Sequence, residues 1–298
     1  MDAVKQKDDG MRLVFLGTGT SEGVPRVSCL VARSCEVCLD AMTVPESKNR
    51  RFNTSLLLQF CGKNVLVDCG KFFWQSALRF FPMLGVSSLD ALVLTHDHND
   101  ACYGLDDLRD FACADKDGKS NVTIPVWARP VDIPTLHGAF PYLFGFVANQ
   151  AGGGVSQVDL QAIPSEDASS FAPVKDLDLH FIPLPVIHGR LGCNGYLFRN
   201  VAYISDVKVI PDSTLAIINA HAPEIIIIDC LRLTRAHGSH FILEESLATV
   251  RRLKTRPKKV WLVGMNHETS HQETNHLLRD IATDVDIELA YDGLILDL

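Results

Sequence analysis

His96, His98 and Asp100 stand at alternate positions directly after the apolar run Leu92, Val93 and Leu94. That run reads as a buried strand, and after Thr95 two imidazoles two residues apart point the same way while the chain stays extended. Both can then grip one ion, with Asp100 free to turn towards a second. Imidazole and carboxylate donors together suit zinc, manganese or iron. A lone triplet of this kind also describes a polar loop whose histidines happen to be close. The rest of the chain weighs against that reading. His188 follows the apolar run from Phe181 to Ile187, Asp206 follows Val201 to Ser205, and His267 follows Val260 to Asn266. Four separate strands therefore end in a potential ligand.

In that order, and on strand ends, His96, His98, Asp100, His188, Asp206 and His267 resemble the metallo-β-lactamase superfamily. The resemblance implies an α/β protein with the αβ/βα four-layer sandwich and a metal-dependent hydrolase activity. It places His96, His98 and His188 on a first zinc or manganese ion, has Asp206 bridge to a second, and completes the second with Asp100 and His267. Asp68, beside the first hairpin, matches an aspartate that holds ligand geometry by hydrogen bonds. One position departs from the pattern: Ala101 stands where His-x-His-x-Asp-His puts its last histidine, and a methyl group binds no metal. Asp106 or Asp107 are candidate substitutes, unless these acids only favour a helix N-terminus electrostatically.

Nine cysteines, in a chain whose start is too charged for a secretory signal, argue against a disulfide framework and for free thiols or a metal site. Cys29, Cys35 and Cys38 cluster in a loop, the last two at zinc-knuckle spacing; the other six are scattered and read as small buried hydrophobes. Three thiolates leave a tetrahedral structural zinc one ligand short. His271, four residues after His267, is the candidate fourth. This cysteine loop, the glycine-rich segment from Gly17 to Pro25, the run from Ile182 to His188, Ser205 with Asp206, and Asp229 with Cys230 are together similar to the phosphoribosyl cyclic phosphodiesterases of the carbon–phosphorus lyase pathway. In that family a further histidine supports phosphate-ester cleavage, and His240 stands in the matching place before a helix. The resemblance thus implies a catalytic pair, Asp206 and His240, acting on a small or cyclic phosphodiester with a metal-bound hydroxide. Imidazole is suited to protonating a leaving alkoxide near neutral pH.

Other readings stay open at this point. An acyl-ester or thioester hydrolase would use the same hydroxide on carbon, and the cysteine loop counts against it. A tRNA 3′-processing nuclease shares the metal core, but a net charge of −8 supplies no general attraction to phosphates. The short basic cluster of Lys48, Arg50 and Arg51 reads as a solvated loop. A non-catalytic metal-binding protein is the alternative that Ala101 suggests.

The elements that must position these residues form one layered domain. With 298 residues, 47% of them hydrophobic, the chain can bury a substantial core without staples. Residues 1–10 are expected to be a disordered N-terminus and 11–298 a single domain. Strand-like runs fall near 11–17, 55–60, 63–68, 91–94, 124–127, 177–184, 194–198, 201–205, 224–229, 260–264, 286–291 and 294–298. Helical segments fall near 72–82, 103–114, 132–146, 212–221, 243–254 and 271–283. That alternation suggests two β-rich halves with the metal site at the edge between them. The stretch 287–298 reads as a tight hairpin turning at Asp292 and Gly293, and 148–176 as loops around one short strand that overhang the site. No apolar run approaches a membrane-spanning length. The expected location is cytoplasmic, or nuclear, and the expected partner is a small phosphodiester rather than nucleic acid or membrane. A homodimer is compatible with the sequence, which carries no trace of dimerisation either way.

Overall fold

The computed structural model describes residues 10–111, 123–144, 158–164 and 169–298. One sheet contains β1 (Met11–Gly17), β2 (Ser55–Phe60), β3 (Lys63–Val67), β4 (Ala91–Val93), β5 (Ile124–Ala128) and β6 (Val158–Ala162). The other contains β7 (Phe181–His188), β8 (Leu191–Phe198), β9 (Val201–Ile204), β10 (Ile225–Asp229), β11 (Lys259–Val263) and β12 (Ile287–Leu289). β13 (Ile295–Asp297) returns to the first sheet beside β1, giving the orders β13-β1-β2-β3-β4-β5-β6 and β12-β11-β10-β9-β8-β7.

Both faces of each sheet are covered, so the strands read as nearly continuous apolar runs in which alternate residues serve different layers. Leu13, Phe15, Leu56 and Leu58 meet Phe181, Tyr196, Phe198 and Tyr203 in the core between the sheets. Val14, Leu16 and Leu57 face the other way, onto α3 (Phe73–Leu84). There Phe73, Ala77, Phe80 and Phe81 form a buried stripe at helical spacing. A third core lies beneath α6 (Asp212–His221), α7 (Leu243–Arg251) and α8 (His271–Ile281), packing Ile218, Leu247 and Leu278 onto the outer side of the second sheet. The layers run helix, sheet, sheet, helix, which is the expected αβ/βα sandwich.

Three local expectations are corrected. The terminal segment is not a hairpin: β12 pairs with β11 in one sheet and β13 with β1 in the other. The turn at Asp292 carries the chain between sheets, because the Asp292 carboxylate accepts from the Phe52 amide at 2.6 Å and the Thr18 hydroxyl at 2.7 Å. The cysteine loop contains two short helices, α1 (Val27–Ala32) and α2 (Glu36–Thr43). Arg51 is no solvated cation but 1% exposed, donating to the Thr18 hydroxyl at 2.7 Å and the Ala290 carbonyl at 2.8 Å. Residues 1–9 of the expected terminus, and 148–157 and 165–168 of the stretch expected to overhang the site, lie outside the described residues. Among the described residues no helix is long and apolar enough to cross a membrane.

Candidate metal centre

Strand β4 ends at Val93, and the chain then crosses to the seam between the sheets. Leu94 donates to the Trp127 carbonyl at 2.8 Å, while Asn194 of β8 donates to the Thr95 carbonyl at 3.0 Å. Beyond that clamp His96 and His98 reach one spot, followed by α4 (Asn99–Cys102). Their rings lie 4.5 Å apart, and the ring of His188, the last residue of β7, lies 5.5 Å from the first and 5.2 Å from the second. One ring nitrogen from each can be chosen so that all three lie within 4.8 Å of one another.

The orientation of two rings is fixed from behind. The Thr95 hydroxyl is 2.8 Å from His96 Nδ1 and within 3.0 Å of both Asp68 oxygens. A carboxylate accepts, so the hydroxyl gives it its proton and takes one from His96 Nδ1–H, leaving Nε2 with the lone pair. Asp68 also accepts from the Thr95 amide at 2.8 Å. Its φ of +62° is a left-handed conformation that aspartate tolerates better than most side chains. His188 Nδ1 donates to the Ser239 carbonyl at 2.8 Å, which likewise leaves its Nε2 free. Burial lowers the His188 pKa and takes that of His96 to about 3, so both are neutral donors.

The fit to a cation has a direct mark: His96 Nε2 is buried without a hydrogen-bond partner. A buried acceptor without a partner costs free energy, and an ion among the three imidazoles would use that lone pair. Asp206, after β9, lines the same small cavity as Asp68, His96, Asp100, Ala101, His240 and Gly264. Burial opposes its charge, but the imidazoles of His96, His240 and His188 bring its pKa below the usual carboxylate value. Burial, with Asp206 nearby, lifts Asp100 to about 6.

On the cavity's other flank the His240 ring lies 4.6 Å from that of His188. His240 Nδ1 donates to Asp229 at 2.9 Å and is 3.7 Å from Asp206. Burial opposes the imidazolium, but the Asp229 charge and hydrogen bond hold its pKa up to about 9. Asp229, at the end of the four-isoleucine strand β10, was missed as a site residue. The signal was present, since a carboxylate ending a buried strand is the same pattern that marked Asp206.

His267 takes the place expected of His271 among the cysteines, and His271 joins neither cluster. His267 Nδ1 is 3.4 Å from Cys29 Sγ and 3.5 Å from Cys35 Sγ, and with Cys38 these atoms all lie within 4.8 Å. Tetrahedral zinc with bonds near 2.3 Å to sulfur and 2.0 Å to nitrogen requires separations of roughly 3.5–3.8 Å. The set fits a closed zinc site. His271 instead starts α8, after the Ser270 cap, and sits between Arg51 (3.4 Å) and Asn275 (3.1 Å). The reason lies just before this turn: Met265 is drawn into a bridge with Gly19, so Gly264 is what lines the cavity and His267 lies beyond it. Asp106 and Asp107 do not replace the histidine missing at Ala101. Asp106 pairs with Arg109, and Asp107 faces a pocket lined by Phe73, Trp74 and Phe111. Cys102 and Cys193 are both buried.

Imidazoles delivered by strand ends onto the seam of a two-sheet sandwich characterise the metallo-β-lactamase class of hydrolases. Residues 63–265 match the family model of the β-lactamase superfamily domain, and the chain belongs to that family. A solved diphosphatase of the PhnP family is 30% identical, with a TM-score of 0.79 over 97% of both chains. Zinc-bound PqqB from Methylobacterium extorquens shares the fold at 17% identity and a TM-score of 0.72, covering 96% of this chain and all of its own. Among curated proteins, the octanoyltransferase of Porphyromonas gingivalis is 30% identical over 95% of this chain, and the anti-Pycsar protein Apyc1 of Saccharibacillus brassicae 26% identical over 54%. The chain spans 51% and 63% of the lengths of these two relatives.

Proposed function

We propose that the protein hydrolyses a small phosphodiester with zinc or manganese bound at His96, His98 and His188. The observation that carries this reading is the pairing, across one cavity, of a three-imidazole cluster with a proton donor held by its own carboxylate. An ion at the imidazoles supplies a Lewis acid that lowers the pKa of water and offsets charge on the phosphoryl oxygens. Asp206 is ionised at neutral pH and gives the cluster an anionic donor. His240 is protonated at neutral pH, with Asp229 fixing Nδ1–H; its Nε2–H is the proton that a leaving alkoxide needs. Thr95 and Asp68 keep the His96 lone pair aimed, so its geometry need not reorganise during turnover.

The name of the 30% identical diphosphatase favours a second reading, cleavage of a phosphoanhydride by the same groups. A phosphate leaving group needs less help from a proton than an alkoxide does, so His240 separates the two. The experiment is turnover of a chromogenic phosphodiester, a ribose cyclic phosphate and a nucleoside diphosphate by protein loaded with manganese or zinc, with His188→Ala as control. Diester cleavage that vanishes in the control and falls steeply in His240→Ala is the expected result. Cleavage of the diphosphate alone, insensitive to His240→Ala, replaces it with the second reading. Inactivity of fully loaded protein on all three sinks both.

A further inference from the structure

We infer that this centre is built for one tightly held ion, at His96, His98 and His188, with no complete second-ion site beside it. The inference rests on the metal-dependent reading above and concerns the ligand supply of this particular chain. The superfamily pattern asks for two more histidines around the second ion. At the first of these places stands Ala101, 2% exposed, whose methyl lines the cavity wall. The second was expected from His267, and the cysteines hold it instead.

The residue of that loop which does line the cavity is Gly264, which has no side chain to donate. Its φ is +77°, a conformation that residues with a Cβ rarely adopt, and a Cβ would stand 2.6 Å from Asp229 Oδ1. Asp229 holds His240 through its other oxygen, Oδ2. A side chain at 264 would therefore be strained by its backbone and would press on the carboxylate that positions His240.

The donors that remain do not close a second set. Among the described residues, Asp206 and His240 form a ligand group only by sharing His188. His188 has one nitrogen committed to the Ser239 carbonyl, and the single lone pair on the other serves one ion. Asp100 lines the cavity, but it joins none of the three groups whose donor atoms converge. Zinc sites in enzymes ordinarily use three protein ligands, and once His188 is assigned to the first ion the second set falls short.

The test is a metal count on the full chain, loaded with excess zinc, passed through a desalting column and measured by plasma mass spectrometry. Two ions per chain are expected, falling to one in His98→Ala and to one in Cys35→Ala. Three ions per chain in the unmodified protein overturns the inference while leaving the metal-dependent reading intact. A single ion that Cys35→Ala removes and His98→Ala does not overturns both. A second measurement does not depend on a variant that folds: manganese loaded into the unmodified chain should give the electron paramagnetic resonance spectrum of isolated ions. An exchange-coupled pair would contradict the single-ion assignment.

Discussion

The cysteine cluster and the imidazole cluster lie on the same chain and differ in almost every physical respect. Cys29, Cys35, Cys38 and His267 offer three sulfurs and one nitrogen in a closed set, as a site needs when it has no position for a reactant. They come from two short helices and the turn after β11, so an ion there would tie an irregular segment to the sandwich. His96, His98 and His188 come from the ends of packed strands and offer only nitrogen, and His96 lines a cavity with Asp206 and His240. Thiol burial points the same way: Cys38 is fully buried, and desolvation lifts its pKa to about 12. A thiol in that state forms a thiolate only when a cation compensates. The lesson is that donor softness and open coordination, more than the number of ligands, separate a site that holds structure from one that does chemistry.

The comparison breaks most visibly at His96. His96→Ala should lower hydrolysis by on the order of 10³-fold, beyond the roughly 10–100-fold cost of losing an outer partner, while the circular dichroism of the folded chain stays unchanged. If that variant also unfolds, the imidazole cluster is structural and the contrast collapses. Asp229→Asn should cost on the order of 10²-fold in kcat for an ester with a poor leaving group. It should cost much less for a nitrophenyl ester, whose leaving group needs no proton; equal losses on both would assign Asp229 a merely structural role.

Cys38→Ala should act in the opposite sense. Its thermal midpoint should fall by on the order of 10 °C, as a loss of about 3 kcal/mol would produce in a chain of this size. Activity per folded, metal-loaded molecule should change by less than about threefold, and a selective loss of kcat instead would join the two clusters functionally. The smallest effect concerns His271. Burial, with Arg51 and Lys48 nearby, lowers its folded pKa to about 3, against an ordinary value near 6.5. Between those values the unfolded chain binds the extra proton, so stability is full above about pH 6.5 and is lost as pH falls. Thermal melts from pH 7 to 4.5 should fall less steeply in His271→Gln than in the parent; identical slopes would remove His271 from the account.

Strand ends were the most legible part of this protein. An apolar run that halts at His96, His188, Asp206 or Asp229 announces both a buried strand and a polar tip. The helices were less sharply bounded. Of the segment expected near 103–114, the described residues form only a tight turn of helix over Leu105–Asp110, separate from α4, because Gly104 packs against Gly70 and Phe73 where a continuous helix would place a side chain; 112–114 lie outside the described residues. That His267 rather than His271 joins the cysteines was beyond spacing altogether. Both follow the same strand within a few residues, and only the bridge from Met265 to Gly19 decides which one reaches the cysteines. Asp229 was legible and overlooked; the burial of Arg51 was not legible, since nothing near it in sequence names Thr18 and Ala290 as its acceptors.

By itself the sequence determined which donors exist: four imidazoles and the carboxylates of Asp100 and Asp206 at or just after strand tips, three thiols in one segment, and a methyl at Ala101 where the family pattern has a histidine. Side-chain chemistry is local, and alternation along a strand carries it to a predictable face. Only the tertiary structure decided the grouping of those donors, because ligands to one ion come from strands far apart in sequence. Fractions of a turn in the connecting loops then set which histidine joins the thiols, which carboxylate holds His240, and that Gly264 rather than a ligand closes the cavity.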